Sequence, residues 1–274
     1  MEKGGALMLK DITLGQFFPG NTIVHRLDPR TKLIAVVIYI VALFVADGWI
    51  SNALMILVLA LCVALSKIRP GALFKGLKPL VFIVVLTGLL NLFYTEGRIL
   101  VEFWIFRITA EGIARAILMV LRILLLVCGT FLLTYTTSPL ALTDGLETLM
   151  NPLKKIKVPV HELSIMMSIA LRFIPTLIEE TDKIMSAQKA RGADFETGSL
   201  IRRAKAMLPI LVPLFVSSFR RADELATAME CRCYQGGTGR TRMKTLAMGR
   251  TDWLTLVFWA AVLAAVIALT GFGL

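Results

Sequence analysis

The sequence predicts an all-α membrane protein with about five transmembrane helices and a long cytoplasmic helical segment before the last of them. Three observations carry this expectation. The 274 residues are 57% hydrophobic and only 18% charged, with a mean hydropathy of +0.75, a balance shifted from that of soluble domains toward the bilayer. Five apolar runs approach the roughly 20 residues that a helix needs to cross a ~30 Å hydrocarbon core. The net charge of +11 is crowded into a few loops. That placement fits membrane topology better than nucleic-acid binding.

The runs follow in order. Leu33 to Ala46 is short but strongly apolar and forms span one; Trp49 to Ser66 forms span two. Leu77 to Tyr94 is span three, with Tyr94 where an interfacial aromatic belongs. Gly112 to Tyr135 is span four and Trp253 to Phe272 is span five. Between spans three and four, Ile99 to Thr109 is too short to cross and is rich in β-branched and aromatic residues, which marks a hairpin or an interfacial segment. Residues 1–21 lack an apolar core followed by a small-residue cleavage site, so insertion is expected through span one rather than through a cleaved leader.

Lys and Arg set the orientation. Lys3, Lys10, Arg26, Arg30 and Lys32 precede span one, the next turn has no Lys or Arg, and Lys67, Arg69, Lys75 and Lys78 follow span two. Arg98 and Arg107 are set against Glu96, Glu102 and Glu111, whereas Thr137 to Arg250 carries seventeen basic residues. Rich and poor loops alternate, placing the N-terminus and the long segment in the cytoplasm. The expected organisation is a cytoplasmic N-terminal segment (1–31), transmembrane helices one to four (32–136), a cytoplasmic helical region (137–250) and transmembrane helix five (251–274). Within that region, 206–219 is apolar. It is only fourteen residues long, holds Pro209 and Pro213, and has basic residues on both flanks, so a helix lying against the membrane is expected. His161 to Glu180 has an apolar helical stripe, and Arg172 near its centre would be costly in lipid.

The most informative pattern is an internal repeat. Asp182 to Arg191 (DKIMSAQKAR) aligns without gaps to Asp223 to Arg232 (DELATAMECR) at an offset of 41 residues. Gly192 follows the first copy and Gln235-Gly236-Gly237 the second, as expected for helix ends. Each copy thus presents an arginine, Arg191 or Arg232, near a C-terminal tip. Such arginines complement the helix dipole by roughly 0.3–1 kcal/mol. A duplicated tip also suits a two-fold partner, where each guanidinium could form a two-pronged pair with a carboxylate.

These tips, Ala190-Arg191-Gly192 and Cys231-Arg232-Cys233, resemble the paired Ala-Arg-Gly motifs of the transmembrane T-component of energy-coupling factor transporters, closest to the shared vitamin-type group. His25 to Lys32, Asp144 to Glu147, Asn151 to Lys155, Val158 to Glu162, Leu171 to Pro175 and Glu179 to Lys183 are similar to the same family. The resemblance implies an L-shaped helical protein that couples two ABC-type ATPases to a substrate-binding membrane subunit for vitamin or other micronutrient uptake. It also implies that Ala190, Arg191, Gly192, Cys231, Arg232 and Cys233 dock the ATPases. The second tip departs from the pattern, with cysteines where alanine and glycine are usual.

No phosphate-binding G-x-x-x-x-G-K-[ST] run exists, so ATP hydrolysis is expected in another chain. Cys231-x-Cys233 lacks further ligands at useful spacing, and neither a metal nor a cofactor is expected. Arg115 and Arg122 share one face of span four. Arg115 can snorkel outward, whereas the deeper Arg122 must face protein or water and is a candidate functional residue. Asp28 is expected to cap the helix that starts at Pro29, leading into Arg30, and Pro175 lies in an apolar helical stretch. A self-sufficient ion-driven carrier or intramembrane enzyme would place His, Asp or Glu within its spans. The five spans hold no His or Glu.

Overall fold

The computed structural model describes residues 17–103, 106–195, 199–236 and 246–272. A one-turn helix α1 (Ile23–Arg26) leads into α2 (Pro29–Val45), α3 (Trp49–Ser66) and α4 (Pro70–Leu77). A short 3-10 turn (Lys78–Leu80) joins α4 to α5 (Val81–Tyr94). Strands β1 (Ile99–Phe103) and β2 (Phe106–Thr109) follow, then α6 (Ala110–Thr136), α7 (Pro139–Met150) and a second 3-10 segment (Asn151–Ile156). The chain ends with α8 (Val160–Ala190), α9 (Leu200–Cys231) and α10 (Arg250–Gly271). It divides into two compact units, one formed by 17–149 with 246–272 and the other by 150–236.

The first unit is a bundle whose core lies between α2, α3, α6 and α10. Ala42, Leu43, Ala46, Met55, Val58, Leu125, Val262 and Val266 fill it. Tyr39 is its keystone. Its hydroxyl donates to the Leu125 carbonyl at 2.7 Å, and its ring meets Trp259 edge-on at 5.6 Å. Gly129 makes this possible, because a β-carbon there would overlap the Tyr39 ring.

Helix α2 has only 17 residues, about 25 Å at 1.5 Å per residue, so its ends fall short of a ~30 Å core. Its terminal backbone groups therefore need partners within the protein. At the start, Asp28 accepts from the Arg30 N–H at 2.9 Å with Pro29 at the first helical position, as the sequence predicts. Asp252, buried at the head of α10, accepts from the Asp28 N–H and the Gly249 N–H, each at 2.8 Å. Arg30 also donates to the Leu246 carbonyl at 2.7 Å, and the Lys32 ammonium to the carbonyls of His25 and Thr136. At the other end, Arg122 donates to the Ala46 carbonyl at 2.6 Å, Asn52 to those of Ala46 and Gly48, and Thr270 to that of Val45.

Among the described residues, five helices can cross a membrane by length and composition: Trp49–Ser66, Pro70–Tyr94, Ala110–Thr136, Val160–Ala190 and Arg250–Gly271. This set differs from the sequence-based one. Helix α2 is too short to be included on its own, and α8 enters with the lowest mean hydropathy, 1.3 against 1.9–2.6 for the others. The short segment at 99–109 is a hairpin, one of the two alternatives that its composition allows. It is antiparallel, with Glu102 opposite Arg107 and Phe103 opposite Phe106.

The second unit is a pair of long helices. Helices α8 and α9 have 31 and 32 residues, about 46 and 48 Å, and run uninterrupted through Pro175, Pro209 and Pro213. The apolar stretches and the repeat copies are thus halves of the same helices.

Because Asp252 holds two backbone donors in a buried site, Asp252→Ala is expected to cost about 2–3 kcal/mol. Thermal unfolding of the detergent-purified protein checks this, with the exposed Thr251→Ala expected to leave the midpoint unchanged.

Candidate functional site

The two repeat copies end in the same backbone structure. In α8 the last helical residue is Ala190 and Arg191 is the C-cap. The Gly192 N–H donates to the Lys189 carbonyl and the Ala193 N–H to the Gln188 carbonyl, each at 3.0 Å, with Gly192 at φ +87°. In α9, Cys231 ends the helix and Arg232 is the C-cap. There the Cys233 N–H donates to the Glu230 carbonyl at 2.8 Å and the Tyr234 N–H to the Met229 carbonyl at 3.0 Å. Both are Schellman ends with the same pair of capping bonds. The residue in the left-handed conformation is Cys233, at φ +56°. This corrects the expectation that Gln235-Gly236-Gly237 ends the second helix. Gly236 is also left-handed, but three residues farther on.

The substitution of cysteine for glycine therefore bears on the backbone as well as on the surface. A β-carbon at Gly192 would meet nothing within 4 Å, so glycine serves there through its conformation. A side-chain-bearing residue in that conformation costs roughly 1–2 kcal/mol. Cys231, Arg232 and Cys233 are all exposed, as are Ala190, Arg191 and Gly192. Among the described residues neither Arg191 nor Arg232 makes a side-chain hydrogen bond or ion pair. The guanidiniums stand at the carbonyl-rich ends of two long helices, with their donors available.

Behind the tips, the two helices are tied together at equivalent positions. Arg221 donates to the Glu180 carboxylate at 2.8 Å, and Ser217 donates to the other oxygen of the same carboxylate. Glu180 and Arg221 are 41 residues apart, the offset of the repeat, so each lies eleven residues before its own tip arginine. The bridge therefore sits about 16 Å back along each helix. Sequence reading passed over this pair, although extending the repeat two residues toward its N-terminal side brings Glu180 onto Arg221.

The remaining candidates lie elsewhere. Asp28 and Arg30 belong to the cap of α2. Arg122 makes an ion pair with Asp47 at 3.0 Å while capping α2, which supplies a structural reason for a cation at that depth. Pro175 lies exposed within α8, and Arg115 is exposed on α6.

A family model described as cobalt transport protein (CbiQ) matches residues 20–245. The energy-coupling factor transporter transmembrane protein EcfT of Acidaminococcus fermentans is 54% identical over 248 residues, 90% of this chain and 92% of the relative. The protein of the same name from Ruminiclostridium cellulolyticum is 52% identical over 260 residues (93% and 97%). That from Bacillus subtilis is 49% identical over 251 residues (91% and 95%). The chain belongs to this family of energy-coupling factor transporter transmembrane proteins. The reading as a self-sufficient carrier or intramembrane enzyme is not favoured by these relatives.

The strained cap of the EcfT family member described here is directly testable. Cys233→Gly is expected to stabilise the second tip by about 1 kcal/mol and Gly192→Ala to destabilise the first by about the same. Amide hydrogen exchange at residues 188–193 and 229–234 measures both changes, slower exchange marking the relieved end.

Proposed function

We propose that this chain is the transmembrane coupling subunit of an energy-coupling factor transporter and that its two helix tips dock a pair of ABC-type ATPases. The observation that carries the proposal is the duplicated end: two arginines at matched C-caps, on helices bridged at matched positions. A two-fold ATPase pair offers two equivalent grooves, and each guanidinium can pair there with a carboxylate through two parallel hydrogen bonds. Closure of the ATPases on ATP then displaces the tips. The Glu180–Arg221 bridge makes the two helices answer together, because neither can swing without stretching a contact shared with the other.

A substrate-binding membrane subunit is the second partner. It rides on the apolar faces of α8 and α9, where Met166, Met167, Leu208, Val212, Phe215 and Phe219 are exposed. Contiguous exposed apolar surface of this kind favours interaction with another protein or with lipid. The solute is bound by that subunit, so this chain carries no catalytic residue, and ATP is hydrolysed by the partner chains. The alternation of basic and poor loops supports a cytoplasmic N-terminus, a cytoplasmic region over 137–250 and a multi-pass position in the cell membrane.

Co-purification tests the docking. The Arg191→Glu/Arg232→Glu double variant should retain at least ten-fold less of the ATPase pair than wild type, following the ~2–5 kcal/mol lost when a buried charge pair is broken. Equal retention by a folded variant would reject the docking role.

The bridge is tested separately by charge exchange. Glu180→Arg and Arg221→Glu should each lower ATP-driven solute uptake in vesicles, and the double exchange should restore much of it. Restoration is expected only if the two residues act through their mutual contact.

A further inference from the structure

The first unit contains an apolar slot that the coupling reading does not use. It has a volume of about 310 Å³ and opens between α2, α3, α6 and α10. Val36, Tyr39, Cys62, Leu133, Leu254 and Phe258 are among its walls, and among the described residues Lys32 is the only charged one lining it. The walls come from the first turns of α2 and α10 and from the last turns of α3 and α6. The slot therefore lies at one level of the bundle, toward a single membrane face. From Lys32 to Tyr39 it reaches about 10 Å along α2.

Three exposed cations stand close in sequence to lining positions. Arg26 is exposed on α1, whose Ile23 and Val24 line the slot. Lys67 is exposed at the C-cap of α3, two residues beyond the lining Leu65. Arg250 is exposed at the first turn of α10, one turn before the lining Leu254. The nearby acids, Asp28 and Asp252, are buried and engaged in the cap of α2. Lys32 is itself buried, with two of its three donors used by the carbonyls of His25 at 3.1 Å and Thr136 at 2.9 Å. One donor is left for an oxygen at the mouth.

An apolar cavity of this size gives water no partners and stays dry. In a bilayer the material at hand to fill it is hydrocarbon. A basic rim above an apolar slot between membrane helices is complementary to an anionic head joined to an acyl chain. We propose that the slot between α2, α3, α6 and α10 holds one acyl chain of an anionic phospholipid, its phosphate lying among Arg26, Lys32, Lys67 and Arg250. Such a lipid stands beside the cap of α2 and fills the space left among α2, α3, α6 and α10. The inference rests on the membrane location of the chain and not on its coupling role.

Native mass spectrometry of the full-length, detergent-purified chain tests this, with phosphatidylglycerol and phosphatidylcholine of the same acyl composition added in equal amounts. Wild type should retain one phosphatidylglycerol in preference to phosphatidylcholine by roughly ten-fold or more, from the attraction of each rim cation for an anionic head. Leu61→Trp places a larger side chain at a wall position that is 44% exposed, outside the packed core, and should abolish that retention while the protein still elutes as a folded species. Arg26→Gln/Lys67→Gln should leave the slot open and reduce the preference between the two lipids. Equal retention of both lipids by wild type would overturn the proposal. Undiminished phosphatidylglycerol retention by Leu61→Trp would do so as well, since the lipid would then be held elsewhere.

Discussion

The bundle depends on satisfying the two ends of one short helix. Helix α2 gives about 25 Å of helix, less than a ~30 Å hydrocarbon core, and an unpaired backbone group away from water costs several kcal/mol. Other elements therefore converge on its termini. Asp252 comes from the last helix, Arg122 from α6, Asn52 from α3 and Thr270 from the far end of α10. The same contacts fix the neighbours of α2, so the capping of one helix also sets the packing of the bundle. Tyr39, Gly129 and Trp259 secure the middle of that arrangement.

The helical pair is governed by a different economy, that of repetition. Two segments of similar sequence fold into helices of nearly equal length and stop with the same capping bonds. They also touch through a residue pair separated by the repeat offset. A repeat whose equivalent positions meet suits the two-fold partner proposed above. The cysteine at the second cap shows that the geometry outweighs the residue's preference, since Cys233 adopts the conformation that Gly192 adopts without strain.

Much of this was legible in the sequence. Long apolar runs announce their helices because the length needed to cross a bilayer is set by the solvent, and the α2 cap was readable from Asp28-Pro29. The hairpin was readable as one of two alternatives from the β-branched and aromatic residues of 99–109. The repeat placed both arginines at helix ends. What sequence could not supply was pairing over distance. Nothing local ties Asp47 to Arg122, 75 positions away. Nor does anything local tie Asp252 to Asp28, 224 positions earlier. The second helix end was misplaced for a local reason: glycine is the usual mark of a left-handed cap, and here cysteine takes that role.

The most direct test of the central claim is the distance between the two tips in the assembled transporter. Spin labels at positions 189 and 230, in a background with the four native cysteines replaced, would report it by pulsed electron resonance. The account predicts that adding ATP shifts the distance distribution in the complex with the ATPases and leaves it unchanged in the isolated chain. A distribution in the complex that stays the same with and without ATP would contradict it, because the spacing of the tips would then not follow closure of the ATPases.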